Sequence, residues 1–261
     1  MKYELKEMNQ GEIFSEAFNL YFDNFVALFV ISFISAFPGF IYAQSVVNNT
    51  LAGSSGNAFF GTLMPMIFMV LANTIATALI IEVVSKKYLR KPQSMQQYIS
   101  TILPFVLPII GLSILQSFAV GFGFILLIIP GFIVLAGLSL SAQTLVIERI
   151  GVTDAMKRSW ELSKGHRMQI FGFLFLMGIV SGVADYILRT IFLSNINLGN
   201  VRSVFMIYNI SSTVVSALIT PLTVCILILI YFNLRIKKEG FGLEHMVNQF
   251  SEASTEPTIE A

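Results

Sequence analysis

Residues 129–167, IPGFIVLAGLSLSAQTLVIERIGVTDAMKRSWELSKGHR, show how this chain is built. A Pro-Gly step leads into an uncharged run that stops abruptly at Glu148. A short charged segment around the single tryptophan, Trp160, follows, and another apolar run begins directly after it. Two apolar runs joined by a short charged segment are typical of a chain that leaves a membrane and re-enters it.

The composition favours lipid as the solvent of this protein. Of the 261 residues, 55% are hydrophobic and 12% are charged, and the mean hydropathy is +0.77, whereas soluble domains carry about 25% charged residues. The net charge of +1 does not indicate the strongly basic surface that nucleic-acid binding requires. With one cysteine, Cys225, and two distant histidines, His166 and His245, the chain lacks a disulfide framework and a thiolate metal site. No cofactor is therefore expected.

Six membrane spans are predicted, each near the ~20 residues that a bilayer requires, at about 26–46, 59–84, 101–120, 125–147, 168–188 and 211–232. No charge occurs over the 47 residues from 101 to 147. One helix of that length would measure about 70 Å, far more than a hydrocarbon core of about 30 Å, so this stretch must form two spans. We expect the turn near Gly121-Phe122-Gly123, and a turn at Pro130-Gly131 is the alternative.

Amphipathic helices are predicted before the first, third and fifth spans. An interfacial helix at 11–25 carries apolar residues on one face and acidic or amide residues on the other. The same stripe recurs at 95–102 and in an amphipathic helix at 152–164, at offsets of 81 and 138 residues. The pattern suggests a threefold repeat of helix plus hairpin, although unrelated amphipathic helices share this spacing. We expect an all-α membrane protein with one domain at 1–242, followed by a short amphipathic turn and a disordered acidic tail at 243–261.

Lysine and arginine are distributed unevenly between the two sides that these spans define. All but two of the 16 lie in the N-terminal segment, the 85–100 loop, the 148–167 loop and the C-terminal segment. The two exceptions are Arg189 and Arg202. Because cytoplasmic loops are enriched in Lys and Arg, we expect a cell-membrane protein with both termini in the cytoplasm.

The opening stretch and the end of the last span also carry a family signature. Its residues are Pro130, Gly131, Glu148, Arg158, Ser159, Trp160, Lys164, Pro221, Arg235 and Glu239. This pattern resembles the membrane domain of glycerophosphoryl diester phosphodiesterases and the related YciC-like integral membrane proteins of bacteria and archaea. The resemblance extends to about residue 242 and implies a multi-pass membrane protein. Because too few residues follow 242 for a catalytic barrel, phosphodiesterase activity is not expected.

Charged residues cluster at the ends of spans four to six: Glu148, Arg158, Lys164, Arg235 and Glu239. Our hypothesis is that one of the glutamates pairs with one of the arginines and locks the amphipathic helix against the bundle. The alternative is a solvated basic face that attracts anionic lipid by about 1 kcal/mol per residue. In span five, Asp185 and Arg189 form an i, i+4 pair that is either structural or in contact with a solute or lipid headgroup.

The sequence contains no clustered carboxylates or histidines and no nucleophile beside a base, so an enzyme is not expected. The first hypothesis is a membrane scaffold that binds a membrane or cytoplasmic protein in addition to the lipid bilayer. The alternative is a transporter or lipid-handling protein, which would require a water-accessible polar cavity at mid-membrane. The span centres are almost wholly apolar, and we expect the intramembrane amides Asn73, Gln116, Gln143 and Asn209 to bond between helices. These considerations favour the scaffold.

Overall fold

A computed structural model describes residues 6–52, 58–91, 93–194 and 201–240. Over these residues the chain forms α1 (Gln10–Asp23), α2 (Phe25–Ala52), α3 (Ala58–Tyr88), α4 (Met95–Ile102), α5 (Val106–Leu126), α6 (Ile128–Leu138), α7 (Ser141–Glu148), α8 (Val152–Ser163), α9 (Arg167–Leu193) and α10 (Val201–Glu239). A 3-10 turn at Leu103–Phe105 joins α4 to α5. Among the described residues, six stretches are long and apolar enough to cross a membrane: α2, α3, α4 with α5, α6 with α7, α9, and α10. The prediction of an all-α membrane protein with six spans is confirmed.

The chain forms three successive units, each a short amphipathic helix followed by a pair of spans. The units are α1 with α2 and α3, α4 with α5 to α7, and α8 with α9 and α10. Two buried positions recur in each short helix at the predicted offsets: Ala17, Tyr98 and Ala155 at the first, and Tyr21, Ile102 and Ser159 at the second. Because the same positions face the core in all three helices, the arrangement supports a threefold repeat.

The turn between the third and fourth spans lies at Leu127, where the backbone is extended (φ −168°, ψ 155°). The expectation of a turn at 121–123 is wrong, because α5 continues through both glycines to Leu126. The alternative turn at Pro130-Gly131 is also wrong. The turn lies three residues earlier, and Pro130 and Gly131 belong to the first turn of α6. Lipid-facing apolar residues lie on both sides of the turn, so hydropathy does not mark its position.

The glycines of this hairpin permit close packing. A Cβ on Gly123 would lie 3.1 Å from the Cα of Gly131, and a Cβ on Gly131 would lie 2.4 Å from the ring of Phe124. Only glycine at these two positions lets α5 and α6 approach so closely.

The fourth span is broken in its middle. α6 ends at Leu138 and α7 begins at Ser141, with a turn at Ser139 and Leu140. The predicted span at 125–147 corresponds to one membrane-crossing stretch, Ile128–Glu148, which consists of α6 and α7. The break was not anticipated, because no proline and no charge marks it in the sequence.

Other boundaries also differ from the sequence-based ones. The first span extends beyond residue 46 to Ala52, and the last helix begins at Val201 instead of 211 and continues to Glu239. Helices can extend past the hydrocarbon layer, so polar residues did not end them where expected. The turn and tail predicted at 243–261 lie outside the described residues.

α1 is tied to the end of α10. The Met8 N–H donates to Asn233 Oδ1 at 2.9 Å, and Asn233 Nδ2 donates to the Met8 carbonyl at 3.1 Å. The helix buries Ile13, Ala17, Leu20 and Tyr21 but leaves Phe18 and Phe22 exposed. An interfacial position for α1 stays a prediction, and these two rings are the surface that would meet lipid.

Candidate functional site

Four charged side chains form a ring where α7 and α10 end, and we refer to this end of the bundle as the charged end. Arg158 Nε donates to both carboxylate oxygens of Glu148 at 3.1 Å, and Arg158 Nη2 lies 2.6 Å from Glu239 Oε1. Arg235 Nε donates to Glu239 Oε2 at 3.0 Å and lies 3.9 Å from Glu148 Oε1. The ring alternates in sign and joins α7, α8 and α10. The predicted glutamate–arginine pairing is present, and Arg158 bonds to these two glutamates.

Tyr231 lies inside the ring. Its hydroxyl donates to Glu148 Oε1 at 2.9 Å and accepts from Arg235 Nη1 at 3.2 Å. Burial opposes the charge of Arg158, but the carboxylates of Glu148 and Glu239 outweigh this effect, so the pKa of Arg158 is raised above its ordinary value. The arginine therefore stays charged at any physiological pH.

α8 is held against the break between α6 and α7 by two serine hydroxyls. Ser159 Oγ donates to the Gly137 carbonyl at 2.8 Å and accepts from the Leu140 N–H at 3.2 Å. The single hydroxyl proton of Ser163 is shared between the same Gly137 carbonyl at 3.3 Å and the Trp160 carbonyl of its own helix at 3.1 Å. Ser159 and Ser163 are fully buried. These bonds satisfy backbone groups that the broken helix leaves without their usual partners.

Trp160 covers Gly137 from the outside. A Cβ at position 137 would lie 2.5 Å from the Trp160 ring, so only glycine leaves room for the indole. The guanidinium carbon of Arg167 lies 3.7 Å from the centre of this ring, within the range of a cation–π contact. Trp160 is thus packed on one face and 38% exposed overall.

Lys238 of α10 caps the end of α8. Its Nζ donates to the carbonyl oxygens of Glu161 at 3.0 Å and of Lys164 at 2.7 Å. A cation is favourable at this position, because the carbonyl end of a helix carries partial negative charge. Lys164, a predicted motif residue, therefore contributes its carbonyl group to this contact, and its own side chain is not a member of the ring.

A partly open cavity of about 310 Å³, half of whose lining residues are polar, lies between α3, α5, α7 and α10. α3 contributes Asn73, Thr74 and Thr77 to its wall, and α5 contributes Ser113 and Gln116. Three of the four predicted intramembrane amides, Asn73, Gln116 and Gln143, lie in this wall. Gln116 bonds between helices as expected, but the Asn73 side chain donates to the Met69 carbonyl of its own helix.

The cavity lies at membrane depth. At about 1.5 Å per residue, Gln143 in its wall is about 8 Å from Glu148, and Asn73 is about 14 Å from Glu82. Both glutamates lie near the charged end of their helices. The cavity therefore extends from the half of the membrane next to the charged end towards the middle of a core of about 30 Å.

The broken span forms one side of this cavity, with Ser139, Ala142 and Gln143 in the wall. Side chains bind successive carbonyl groups around the break. Ser139 Oγ donates to the carbonyl of Ala136, Ser159 Oγ to that of Gly137, and Gln116 Nε2 to that of Leu138. Irregular backbone is tolerated at membrane depth only where it is buried in protein or lines a polar cavity. The irregular backbone between α6 and α7 is packed against α8 and also lines the cavity.

A buried carboxylate lies between the cavity and the charged end. Glu82 comes one helical turn after Ala78, which lines the cavity, and its side chain is only 2% exposed. Arg149 Nη2 lies 3.7 Å from Glu82 Oε1, and within the described part of the chain this oxygen accepts no hydrogen bond. Arg149 ends α7 in a left-handed conformation (φ 55°), which is uncommon for a residue other than glycine.

A family model described as a domain of unknown function, DUF7847, matches residues 94–234. The chain belongs to this family. No curated protein and no solved structure matches the chain. The resemblance to the glycerophosphodiester phosphodiesterase membrane domain is supported only as far as a helical membrane protein of unknown function.

The DUF7847 range covers α4 to α9 and most of α10. It includes the helix break, α8, Glu148, Arg158 and Tyr231, and it ends just before Arg235. The cavity residues of α3 lie outside it. The family match therefore spans two of the three units.

The structure separates the ten predicted motif residues into four places. Glu148, Arg158, Arg235 and Glu239 form the ring, while Ser159, Trp160 and Lys164 belong to the docking of α8. Pro130 and Gly131 lie at the far end of the bundle, and Pro221 lies in the middle of α10. The sequence did not indicate Gly137 or Lys238 as site residues, because nothing in their local sequence distinguishes them from packing or surface residues.

A second polar cleft, of about 240 Å³, lies between α9 and α10 nearer the far end. Arg189 Nε lies 2.7 Å from Asp185 Oδ2, so the predicted i, i+4 pair is present. The Tyr208 hydroxyl donates to Asp185 Oδ1 at 2.6 Å. Ser212 and Ser216 add hydroxyl groups to the wall.

Proposed function

We propose that this DUF7847 protein binds a small polar ligand, free or as part of a lipid, inside the membrane. This places it in the lipid-handling or transport class. The observation that carries the proposal is the polar cavity of about 310 Å³ at membrane depth, one wall of which is a broken span. Discontinuous helices next to a mid-membrane cavity are the usual construction of ligand sites in membrane transporters.

Native mass spectrometry of the protein in lipid nanodiscs tests this proposal. Ala142→Leu places a larger side chain in the cavity, whereas Ala119→Leu adds the same volume to α5 outside the cavity. We expect a non-protein species that remains bound to the wild type and to Ala119→Leu but is lost from Ala142→Leu. Equal retention by all three proteins would contradict a ligand in this cavity.

A membrane scaffold is the second candidate function. The observation that favours it is the rigid attachment of α8, whose exposed Lys157, Trp160 and Glu161 form a fixed surface at the charged end. Protein partners recovered in the same purification decide between the two. One protein in stoichiometric amount, bound equally by wild type and Ala142→Leu and without a small ligand, would favour the scaffold.

The proposal also covers catalytic activity, family relationship and location in the cell. The protein is not an enzyme, which is consistent with ring carboxylates that are all held in ion pairs. It is a relative of the glycerophosphodiester phosphodiesterase membrane domain that does not carry the catalytic activity. It lies in the cell membrane with its charged end in the cytoplasm, since all but Arg189 and Arg202 of the 16 Lys and Arg residues fall on that side of the predicted topology.

A further inference from the structure

We infer that the cavity binds a neutral, polyhydroxylated group, either a free polyol or sugar or the headgroup of a glycolipid. This inference rests on the proposed binding function and names the ligand class of the same site. Three features of the cavity carry it: the hydrogen-bonding capacity of the wall, the lack of charge in the wall, and the volume.

The hydroxyl groups of the wall present acceptors to the cavity. Thr77 Oγ1 donates to the Asn73 carbonyl at 2.8 Å, and Ser113 Oγ donates to the Ile109 carbonyl at 3.0 Å. Ser139 in the broken span donates within its own turn in the same way. Because these three hydroxyl protons are already bound, a ligand can use only the lone pairs of these oxygens and must offer donors to them.

The amide groups of the wall add both donors and acceptors. Asn73 uses one N–H on the Met69 carbonyl at 2.9 Å, and Gln116 uses one N–H on the Leu138 carbonyl at 3.2 Å. Each primary amide keeps a second N–H and its carbonyl oxygen for a ligand. A wall that offers both acceptors and donors matches hydroxyl groups, since each hydroxyl both donates and accepts.

No ionisable side chain lines the cavity in the described part of the chain. The carboxylate of Glu82 lies one turn beyond Ala78 and faces Arg149. A charged ligand would leave water without meeting a counter-charge, which is strongly unfavourable in a medium of low dielectric constant. The lining therefore selects against phosphate, carboxylate and ammonium groups.

The volume sets the size of the ligand. A cavity of 310 Å³ corresponds to about ten waters at about 30 Å³ each. This is room for one polyol or one sugar ring. Leu112 and Val224 supply apolar wall against which the C–H faces of such a ring can pack.

Binding measurements on the full chain in phosphatidylcholine nanodiscs test the ligand class. The probes are radiolabelled glucose and myo-inositol as free polyols, monoglucosyl diacylglycerol as a glycolipid, and phosphatidylserine as a charged lipid. The variants are Ser113→Ala and its matched control Ser117→Ala. Both hydroxyls donate to the carbonyl four residues earlier on α5, but only Ser113 lines the cavity.

We expect a hydroxylated probe to bind the wild type and Ser117→Ala equally, and to bind Ser113→Ala about 3- to 10-fold more weakly, as for one lost hydrogen bond. Binding of glucose or inositol identifies a free polyol, and binding of the glycolipid alone identifies a headgroup; both support the inference. Tighter, Ser113-dependent binding of phosphatidylserine overturns the ligand class but leaves the proposed function intact. If no probe binds, and wild type and Ala142→Leu retain the same species in the mass spectra, both the ligand class and the proposed function are wrong.

Discussion

Arg158 is the residue that connects α8 to the two spans beside it. Its guanidinium group contacts Glu148 through Nε and Glu239 through Nη2, so one side chain neutralises carboxylates from α7 and α10. All three side chains are mostly buried, with exposures between 16% and 27%. The contribution of such partly exposed ion pairs to stability is intermediate. Fully exposed pairs contribute little, whereas the disruption of fully buried pairs is strongly destabilising.

Arg158→Ala should therefore lower the stability of the protein by about 2 kcal/mol, because two carboxylates lose a partner at once. The measurement is the melting temperature in detergent, with the amount of protein in the membrane as a second readout. Lys157→Ala is the control, since Lys157 is exposed on the same helix. If both variants melt at the wild-type temperature, α8 is not locked by the ring.

Glu82 and Arg149 should respond differently to mutation. Glu82→Gln removes a buried charge that is poorly compensated, so stability should stay equal or rise. Arg149→Ala leaves the carboxylate without its cation and should cost about 1 to 2 kcal/mol, moderated by the 49% exposure of the arginine side chain. Thermal unfolding of both variants in detergent tests the pair. A large loss in Glu82→Gln would mean that the carboxylate is fully satisfied in the native protein.

Part of this residue-level description could be predicted from the sequence. The charged cluster was predictable because Glu148 and Arg235 lie at the ends of apolar runs and Arg158 lies in the charged segment between two spans. Which glutamate meets which arginine was not visible, since this depends on how far α10 continues beyond the membrane. The continuation of α10 to Glu239 brings that carboxylate to Arg158.

Among the elements, α8 depends on a single glycine. Gly137 in α6 faces the Trp160 ring, and its carbonyl accepts from Ser159 and Ser163. A methyl group at position 137 would overlap the indole and push α8 outwards, which would weaken both serine bonds. The position of α8 is therefore determined by packing as well as by the ring.

Gly137→Ala should destabilise the protein by about 1 to 3 kcal/mol, the usual cost of an overpacked contact. Trp160→Leu should recover part of this loss in the double variant, because the smaller side chain leaves space for the added methyl group. A double-mutant cycle on melting temperatures measures the coupling. Additive effects of the two substitutions would contradict the contact between residue 137 and the indole.

The spans themselves were predictable, whereas the break between α6 and α7 was not. Apolar runs and charged ends determine where a chain can cross a membrane, so six spans follow from hydropathy. The break is stabilised by Gln116 and by Ser159, which are 22 residues from their respective partners Leu138 and Gly137. Such side-chain caps depend on tertiary contacts, which leave no local pattern. The cavity beside the break was missed for the same reason.

For the molecule as a whole, the middle hairpin is shorter than its neighbours. The fourth span, Ile128–Glu148, has 21 residues and reaches at most about 30 Å from Glu148. Tyr231 of α10 bonds Glu148, so both helices can be measured from the same level. From Tyr231 to Val201, the first residue of α10, the helix rises about 45 Å. The tip at Leu127 is exposed and wholly apolar. Because about 30 Å just matches a hydrocarbon core of about 30 Å, we expect this tip to lie at the far edge of the core, below the level that the start of α10 reaches.

Cysteine labelling in intact cells tests both the orientation and this short hairpin. Lys157→Cys should react with a membrane-impermeant maleimide only after the cells are opened, and Arg202→Cys should react in intact cells. Leu127→Cys should resist the impermeant reagent in both conditions and react only with a lipophilic one. The wild-type chain is the control, because its single cysteine, Cys225, is fully buried. Labelling of Leu127→Cys by the impermeant reagent in intact cells would mean that the tip emerges from the lipid on the far side, and labelling of Lys157→Cys there would reverse the topology.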